Sequence, residues 1–273
     1  MRGAFLFGGI VMSIKKCLTI AGSDCSGGAG IQADLKAFSA HGVYGASVIT
    51  SVVAENTSRV ISVFNVPVSE VELQIDAVFE DVEIDAVKLG MLPTAEIIGT
   101  VAEKLRQYKP AYIVCDPVMV ATSGDALSES GIDKAFIEHI FPLADVITPN
   151  IPEAEELSGI NIHDIDDMLI AAKKITSNGA KNVLVKGGHL SGSTTDILVN
   201  SKGEWVYEAK RVDSPNTHGT GCTLSSAIAA NLALGNDLKN SVRLAKNYVT
   251  EAIENSYTVG KGHGPVHHFY KLW

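Results

Sequence analysis

Short apolar runs rich in β-branched residues alternate along the chain with stretches whose apolar residues recur every three or four positions. The runs predict strands at residues 17–21, 47–54, 86–89, 112–115, 145–148 and 182–186. The periodic stretches predict amphipathic helices: Ile31, Leu35 and Phe38 share one face of the first helix, and Gly42 closes it. Further helices are predicted at residues 168–177, 222–234 and 238–253. Repeated strand–helix units predict an α/β fold in which helices cover both faces of a mainly parallel sheet.

Polar residues at the predicted element ends refine this picture. Ser69 with Glu72 has the spacing of a capping box that opens a helix. Thr94 and Asp237 are each placed to cap a later helix. Before the last two helices the pattern changes, because a polar turn at residues 201–204 separates two short apolar runs and predicts a β-hairpin.

Composition narrows the class of protein. Of 273 residues, 46% are apolar, which is too many for a disordered chain, and four cysteines are too few for a disulfide-rich scaffold. The 31 acidic and 22 basic residues give a net charge of −9, which argues against nucleic acid as the main partner. The sequence contains no run of about 18 apolar residues and so predicts no membrane-spanning helix. We therefore expect a cytoplasmic globular protein.

The first twelve residues differ from the rest of the chain. A single arginine precedes a short apolar stretch, but no small-residue cleavage site follows, which argues against a signal peptide. We expect residues 1–12 to be a disordered tail or an extension from an upstream start codon.

A glycine-rich loop at residues 22–30 follows the first predicted strand and opens the first helix. In parallel α/β sheets, ligands bind at the carboxyl ends of the strands, so such a loop is a candidate site. Its glycines permit close approach of the backbone to a ligand, and the helix N-terminus offers unpaired N–H groups. Asp24 is placed to hold a polar substrate group or to cap the helix. The alternative interpretation is a tight turn without a ligand.

A second glycine-rich loop at residues 217–223 precedes another predicted helix. The N–H groups from Gly219 to Cys222, at the positive end of that helix, form an anion cradle that suits a transferring phosphoryl group. The helix dipole and these donors favour a thiolate, so we expect the pKa of Cys222 to lie below its usual value of about 8.5. Cys222 would then accept the proton of a substrate hydroxyl. The alternative is that Cys222 is a small buried apolar residue.

Charged and polar side chains also stand at the ends of three further predicted strands. Asp116 closes one strand, and Asn150 and Glu153 lie at a strand end and the following helix start. Mg²⁺ prefers a few carboxylates together with waters and phosphates, which this sparse set fits. Lys186 closes another strand beside two glycines, where its charge can reach a phosphate. The alternatives are helix capping by Asn150, a solvated Glu153 and a merely solubilising Lys186.

Long motifs in a family-specific order cover the chain from about residue 13 to its end. They are residues 18–24, 26–36, 53–57, 88–92, 116–119, 147–150, 152–154, 186–189, 217–223 and 264–269. In these segments the chain resembles the hydroxymethylpyrimidine and phosphomethylpyrimidine kinases of thiamine biosynthesis, members of the ribokinase-like superfamily. The resemblance implies a three-layer sandwich with helices on both faces of a mainly parallel sheet. It also implies a single kinase domain over residues 13–273 and a homodimer.

The resemblance further implies a reaction and the residues that serve it. ATP with Mg²⁺ would phosphorylate the hydroxymethyl oxygen of 4-amino-5-hydroxymethyl-2-methylpyrimidine, and then the monophosphate. The pyrimidine pocket would contain Gly22, Asp24, Ala29, Glu55, Met91 and Val118. The nucleotide and its phosphates would contact Asn150, Lys186, Thr217, Gly219, Thr220 and Gly221. The metal ligands would be Asp116 and Glu153, and the catalytic groups would be Lys186, Gly219, Gly221 and Cys222, with Cys222 as the base.

The chemistry of one substrate contact follows from its residue type. An ionised carboxylate only accepts hydrogen bonds, so Glu55 is expected to accept one from the exocyclic amine of the pyrimidine. A weak base at Cys222 suffices if the substrate hydroxyl loses its proton late, as the loose transition state of phosphoryl transfer allows.

Two other functions compete with the pyrimidine kinase. Some closely similar kinases act on pyridoxal or pyridoxine, and a subset of them carries a lid cysteine after the motif at residues 116–119. Residues 120–124 contain no cysteine, which favours the pyrimidine. A non-catalytic sensor on the same fold is the second alternative, because fold does not fix function. The presence of Cys222, Asp116 and Lys186 together favours the enzyme.

Overall fold

The computed structural model describes residues 14–119, 131–188 and 194–273, together with the backbone of two short strands. These are β1 (Leu6–Phe7) and β2 (Ile10–Val11), which pair antiparallel. The rest of residues 1–12, where we expect a tail, lies outside this description. So do residues 120–124, which bear on the lid cysteine, and His189 of the motif at residues 186–189.

A nine-stranded sheet forms the centre of the fold. Its strands are β3 (Lys16–Asp24), β4 (Tyr44–Asn56), β5 (Arg59–Asn65), β6 (Ala86–Leu89), β7 (Tyr112–Cys115), β8 (Val146–Ile147), β9 (Asn182–Lys186), β10 (Thr194–Asn200) and β11 (Gly203–Ala209). They lie in the order β11-β10-β9-β8-β7-β6-β3-β4-β5. The six strands from β9 to β4 run parallel, whereas β5 at one edge and β10 and β11 at the other run antiparallel to their neighbours. The predicted mainly parallel sheet and the hairpin of β10 and β11 are confirmed, and β5 was not predicted.

Helices cover both faces of this sheet, as the sequence predicts. They are α1 (Gly30–Ala40), α2 (Val68–Phe79), α3 (Ala95–Tyr108), α4 (Ile132–Ala135), α5 (Ile151–Ser158), α6 (Ile165–Ser177), α7 (Thr220–Ala233) and α8 (Leu238–Glu254). A π-helical turn, Phe136–Ile140, continues α4. Helices α1, α7 and α8 pack together on one face, and α2 packs with α3, and α5 with α6, on the other.

Two of the predicted helix caps are confirmed. The Thr94 hydroxyl accepts a hydrogen bond from the Ile97 N–H at 3.2 Å, and an Asp237 carboxylate oxygen accepts one from the Asn240 N–H at 2.9 Å. These caps satisfy N–H groups that have no partner within the helix.

The predicted capping box of Ser69 and Glu72 is wrong. Helix α2 already begins at Val68, and Pro67 precedes it without a side-chain cap. Pro67 occupies the N-cap position, where its carbonyl accepts the Val71 N–H at 3.1 Å and its missing N–H costs no helical hydrogen bond. Ser69 therefore lies within the first turn, and Glu72 instead pairs with the Lys104 ammonium at 2.9 Å.

The sheet buries apolar side chains on both faces, which explains why its strands are continuous apolar runs. In β7, Ile113 and Cys115 pack into the cluster that contains α2, α3, α5 and α6. Val114, which points the opposite way, belongs to the cluster that contains Ala227 and Ile228 of α7.

Parallel pairing brings the carboxyl ends of the central strands to one edge of the sheet. Asp24, Glu55 and Lys186 all lie at or near the last residue of such a strand, and Asp116 directly follows another. The starts of α1 and α7 lie at the same edge, because Gly30 and Thr220 line one cleft together with these polar residues. The fold thus gathers polar groups from distant parts of the sequence.

Candidate active site

One cavity of about 970 Å³ lies at this edge of the sheet. Its lining contains every predicted site residue: Gly22, Asp24, Ala29, Glu55, Met91, Asp116, Val118, Asn150, Glu153, Lys186, Thr217, Gly219, Thr220, Gly221 and Cys222. The structure therefore brings these residues together. Their individual roles stay predictions.

The first glycine-rich loop is shaped by Asp24. One carboxylate oxygen accepts the Ser26 N–H at 2.7 Å, and the other accepts those of Gly28 and Ala29 at 2.8 and 2.7 Å. The second oxygen also lies 3.1 Å from His218 Nε2. Burial alone would raise the pKa of Asp24, but these hydrogen bonds outweigh it and hold the pKa well below its usual range. Asp24 is therefore ionised, and it orders the loop that precedes α1.

The two glycine-rich loops touch each other. Gly219 has a φ of +77°, and a Cβ there would overlap the carbonyl oxygen of Gly28. A Cβ on Gly28 would in turn overlap the ring of His218. Glycine is required at these contacts because only a backbone without side chains can approach so closely.

Glu55 faces the pair formed by Asp24 and His218. The ligand atoms of these three side chains lie within 4.8 Å of one another. Burial, followed by the charge of Asp24, raises the pKa of Glu55 to about 7. Burial opposes the charged form of His218, but Asp24 and Glu55 outweigh it and raise the pKa of that imidazole. We assign no metal to this cluster, because three backbone N–H groups already donate to Asp24.

The expectation that Glu55 is ionised is weakened, because burial and the charge of Asp24 raise its pKa to about 7 and so favour the protonated form. Glu55 is half-buried and lines the cavity together with Met91, which packs against Gly22.

Lys186 and Asp116 form an ion pair beneath the second loop. The Lys186 ammonium lies 2.6 Å from Asp116 Oδ1, which also accepts the Thr148 hydroxyl at 3.0 Å. Burial opposes the charge on Lys186, but Asp116 and Glu153 outweigh it and raise the pKa above its ordinary value. A Cβ on Gly221 would lie 3.2 Å from the Lys186 ammonium. The Lys186 ammonium therefore lies directly against the anion cradle. The alternative that Lys186 only makes the surface more soluble is wrong, because its ammonium is paired with Asp116.

Asn150 and Glu153 form a reciprocal capping box at the start of α5. The Asn150 side-chain oxygen accepts the Glu153 N–H at 2.9 Å, and Glu153 accepts the Asn150 N–H at 2.8 Å. Helix capping by Asn150 is thus confirmed, and a solvated Glu153 is wrong because its side chain is buried. Burial and the charge of Asp116 raise the pKa of Glu153 to about 7, although Lys186 opposes this.

Cys222 lies in the first turn of α7, which begins at Thr220, two residues before the predicted start. The N–H of Gly30, at the start of α1, also faces the thiol. The expected low pKa is nevertheless wrong, because burial raises the pKa of Cys222 to about 11. The Lys88 ammonium and the Gly30 N–H favour the thiolate, but desolvation with the nearby Asp34 and Asp116 outweighs them.

Several charged side chains that are buried or line the cavity were not identified from the sequence. His218 lay within a motif, but its partner Asp24 is 194 residues away in sequence. Lys246 of α8 pairs with Asp196 of β10 at 2.7 Å, and both line the same cavity. Buried Lys88 pairs with Asp34 at 2.9 Å. No local pattern reveals such pairs, because each depends on the packing of distant elements.

Within the described part of the chain, no helix combines the length and the apolar content that crossing a membrane requires.

Comparison with known proteins gives a consistent picture. The family model described as phosphomethylpyrimidine kinase matches residues 24–267. A hydroxymethylpyrimidine/phosphomethylpyrimidine kinase of Rhizobium meliloti is 50% identical over 260 residues, which cover 94% of this chain and 97% of that protein. The thiamine biosynthesis bifunctional protein ThiED of Geobacter sulfurreducens is 49% identical over 252 residues. That match covers 92% of this chain, which spans about half (51%) of the longer protein.

A solved structure supports the fold. The ADP complex of Bacillus subtilis pyridoxal kinase superimposes with a TM-score of 0.87 and 40% sequence identity, covering 94% of this chain and 98% of that one. The predicted ribokinase-like fold is therefore confirmed. The cavity, in which an anion cradle lies beside paired charged groups, agrees with the family match. These findings show that the chain belongs to the phosphomethylpyrimidine kinase family.

Proposed function

We propose that this enzyme transfers the γ-phosphoryl group of ATP to the hydroxymethyl oxygen of 4-amino-5-hydroxymethyl-2-methylpyrimidine, and then phosphorylates the monophosphate, in thiamine biosynthesis. The observation that carries the proposal is the Asp116–Lys186 pair against Gly221, in the same cavity as Glu55. A phosphate bound at the start of α7 would contact the Lys186 ammonium, and a polar ring in the same cavity would hydrogen-bond to the Glu55 carboxyl group.

The remaining predicted residues have consistent parts in this proposal. Gly22, Ala29, Met91 and Val118 enclose the ring, and Asp24 orders the loop beside it. A helix start leaves N–H groups without intrahelical partners, so Gly219 and Gly221 offer donors to the transferring phosphoryl group. The Thr220 N–H donates to the Thr217 carbonyl at 3.2 Å and so holds the turn that presents them. Thr217 and Asn150 line the same cavity, which supports their assignment to the nucleotide. Most of the catalysis is positioning and charge stabilisation, because phosphoryl transfer has a loose transition state.

The donor set beside Lys186 fits a magnesium ion. Asp116 and Glu153 supply two buried carboxyl groups, which suits an ion that takes few protein ligands and completes its shell with water and phosphate. Bound Mg²⁺ would neutralise charge on the phosphate oxygens. Lys186 holds Asp116 in place through the 2.6 Å ion pair.

Cys222 is proposed to receive the proton of the substrate hydroxyl. Its thiol is neutral at pH 7, since the pKa is raised to about 11, so only the thiolate fraction acts as a base. Lys88 and the Gly30 N–H favour that fraction. A hydroxyl that loses its proton late in a loose transition state requires little base.

Pyridoxal phosphorylation is the second candidate, as a side activity. The observation that favours it is the similarity to Bacillus subtilis pyridoxal kinase, with a TM-score of 0.87 and 40% identity. A single assay tests both candidates. The purified protein is offered ATP and Mg²⁺ with the pyrimidine alcohol, its monophosphate or pyridoxal, and product is quantified. Turnover of pyridoxal alone would refute the main proposal.

We also propose one domain over residues 13–273, a homodimer and a cytoplasmic location. The continuous nine-stranded sheet supports one domain. Val52 and Phe64 are paired across β4 and β5, and their side chains are 48% and 67% exposed. An exposed apolar pair on a sheet edge is typical of an interface, which supports a second copy there. The requirement for ATP supports the cytoplasm. Sedimentation of the purified chain tests the dimer.

A further inference from the structure

The segment that follows α8 lies between two sides of the cavity. We call residues 260–268 the C-terminal strap; they form neither helix nor strand, apart from an isolated bridge between Pro265 and His218. One end of the strap contacts the hairpin turn between β4 and β5, and the other end contacts the second glycine-rich loop and α7. The strap contains most of the sequence motif at residues 264–269, to which the proposed function gives no part.

Thr57 holds the first end of the strap. It is the first residue of the two-residue turn between β4 and β5, and it lies two positions after Glu55. The Thr57 hydroxyl oxygen accepts the N–H groups of Lys261 at 3.2 Å and Gly262 at 3.0 Å. The Thr57 carbonyl accepts the N–H of His263 at 2.8 Å. Three consecutive residues of the strap are thus hydrogen-bonded to the turn that follows Glu55.

Core packing contributes little to the position of this turn. Nearly all side chains of β5 are exposed, so the hairpin of β4 and β5 extends beyond the buried core. The strap lies directly against the turn, since a Cβ on Gly262 would overlap the Thr57 carbonyl oxygen. Only a backbone without a side chain can approach so closely. The contact with the strap therefore fixes where the turn lies.

The other end of the strap holds the anion cradle, residues 219–222, from both sides. The Gly264 carbonyl accepts the N–H of His218, directly before the cradle, at 3.0 Å. His268 Nε2 lies 3.0 Å from the hydroxyl of Thr223, directly after the cradle. That hydroxyl also donates to a carbonyl within the cradle at 2.8 Å. The strap thus contacts both residues that flank the cradle.

Helix α8 keeps this part of the strap rigid. The Ala252 carbonyl accepts the His267 N–H at 2.9 Å, and the Tyr248 hydroxyl donates to the His268 carbonyl at 2.9 Å. Val266, His267 and His268 are all buried. A buried and hydrogen-bonded backbone connects its two ends at a fixed distance, which a loose tail would not do.

Resting on the pyrimidine kinase function above, we propose that the C-terminal strap sets the position of the hairpin turn relative to the anion cradle, and so aligns the substrate hydroxyl with the transferring phosphoryl group. Thr57 and His268 are its positioning residues, one at each end. Neither is among the described residues that line the cavity, so neither touches the substrates. Alignment matters because phosphoryl transfer depends mainly on positioning, and a misplacement of about 1 Å can lower a rate about 100-fold.

Thr57→Val tests the hairpin end, because valine keeps the shape of the side chain but cannot accept the two N–H groups. We expect kcat for the pyrimidine alcohol to fall about tenfold or more. The dissociation constants of the pyrimidine alcohol and of ADP, measured by calorimetry, should each change less than about threefold, because the strap aligns the substrates and does not bind them.

Two matched variants accompany Thr57→Val. Thr57→Ser keeps the hydroxyl and should retain at least about half of the wild-type kcat. Thr176→Val is the control: the Thr176 hydroxyl donates to the Ala172 carbonyl at 2.9 Å within α6, away from the strap. Its kcat should stay within about twofold of the wild-type value.

His268→Phe tests the cradle end, since it keeps an aromatic ring but loses the contact with the Thr223 hydroxyl. We expect kcat to fall about tenfold here as well. The double variant Thr57→Val/His268→Phe should have a kcat within about threefold of the slower single variant, because both changes release the same strap. Two independent effects would instead multiply to about 100-fold or more.

The outcomes separate this inference from the proposed function. The strap as a positioning element would be overturned by a Thr57→Val kcat within about twofold of the wild type, or by a loss confined to the dissociation constants. An equal loss in Thr57→Ser, or effects that multiply in the double variant, would overturn it too. All of these leave the function intact, whereas absence of any pyrimidine phosphorylation by the wild type would refute the function.

Each variant is first compared with the wild type by melting temperature and by sedimentation, so that unfolding or a changed oligomeric state is detected before kinetics are measured. If His268→Phe fails to fold, the split between kcat and the dissociation constants in Thr57→Val, together with the rescue by Thr57→Ser, decides alone.

Discussion

A buried ion pair and its hydrogen bonds connect the two helices that begin at the cavity. The Lys88 ammonium on β6 lies 2.9 Å from both carboxylate oxygens of Asp34 on α1. Asp34 also accepts the hydroxyls of Thr19 at 2.6 Å and of Ser226, on α7, at 2.7 Å. Both charged side chains are fully buried. Burial opposes the charge on Lys88, but Asp34 outweighs it and raises the pKa, so the ammonium stays protonated.

Lys88→Met should strongly destabilise the protein. The substitution leaves the Asp34 carboxylate buried without its cation, and removing one partner of a buried pair costs about 3–5 kcal/mol. The double variant Asp34→Asn/Lys88→Met contains neither charge, and the amide still pairs with both hydroxyls, because its oxygen accepts one of them and its NH2 group donates to the oxygen of the other. We expect the double variant to lose only about 1–2 kcal/mol, because replacing both partners avoids the unpaired charge.

Urea unfolding at pH 7, followed by circular dichroism, measures these free energies. Lys173→Met is the matched control, because Lys173 pairs with Glu204 at 2.6 Å but both side chains are about half exposed. Its cost should stay within about 0.5 kcal/mol. A loss below about 1 kcal/mol for Lys88→Met would refute the reasoning. So would a double variant that is no more stable than Lys88→Met.

Three further variants test the cavity. Cys222→Ala should lower kcat about 10²-fold, because the base is lost. The wild-type kcat should rise as the pH approaches 11 and the thiolate forms, and the kcat of the variant should not. Lys186→Met should lower kcat roughly 10²-fold with little change in KM for the pyrimidine, since the lost cation faces the phosphoryl group. An unchanged kcat would show that Lys186 has no part in phosphoryl transfer. Gly219→Ala should lower kcat at least about tenfold, because the new Cβ overlaps the carbonyl oxygen of Gly28. Gly235→Ala is the control, since Gly235 also has a positive φ of +92° but has open space around it, and this variant should keep wild-type kinetics.

The sequence predicts the central strands and the cavity lining because both follow local rules. Buried parallel strands are apolar runs, and ligands bind where such strands end. Strand β5 was missed because its side chains are almost all exposed, so it carries no pattern of burial. The capping box at Ser69 was wrong because a proline start competed with it.

The chemistry of the site was less predictable than its location. Sequence places Cys222 at a helix start, where the dipole lowers a thiol pKa, but only the folded structure reveals the burial that raises it. The same limit applies to Glu55, whose proton depends on Asp24, 31 positions earlier in the chain but adjacent in space. The pKa of a side chain depends on its surroundings, and several helices and strands contribute to the surroundings of Cys222 and Glu55.

The Asp34 network also explains how two glycine-rich loops keep a fixed geometry. Glycines allow the loops to touch, but they supply no side-chain packing and cost conformational entropy on folding. Each loop leads directly into a helix, and Asp34 of α1 is bonded to Ser226 of α7, 192 residues away in sequence. The helices therefore carry the rigidity that the loops lack. It follows that the relative position of the Cys222 thiol and the Gly30 N–H is set in the core, one turn below the cavity, and not within the loops themselves.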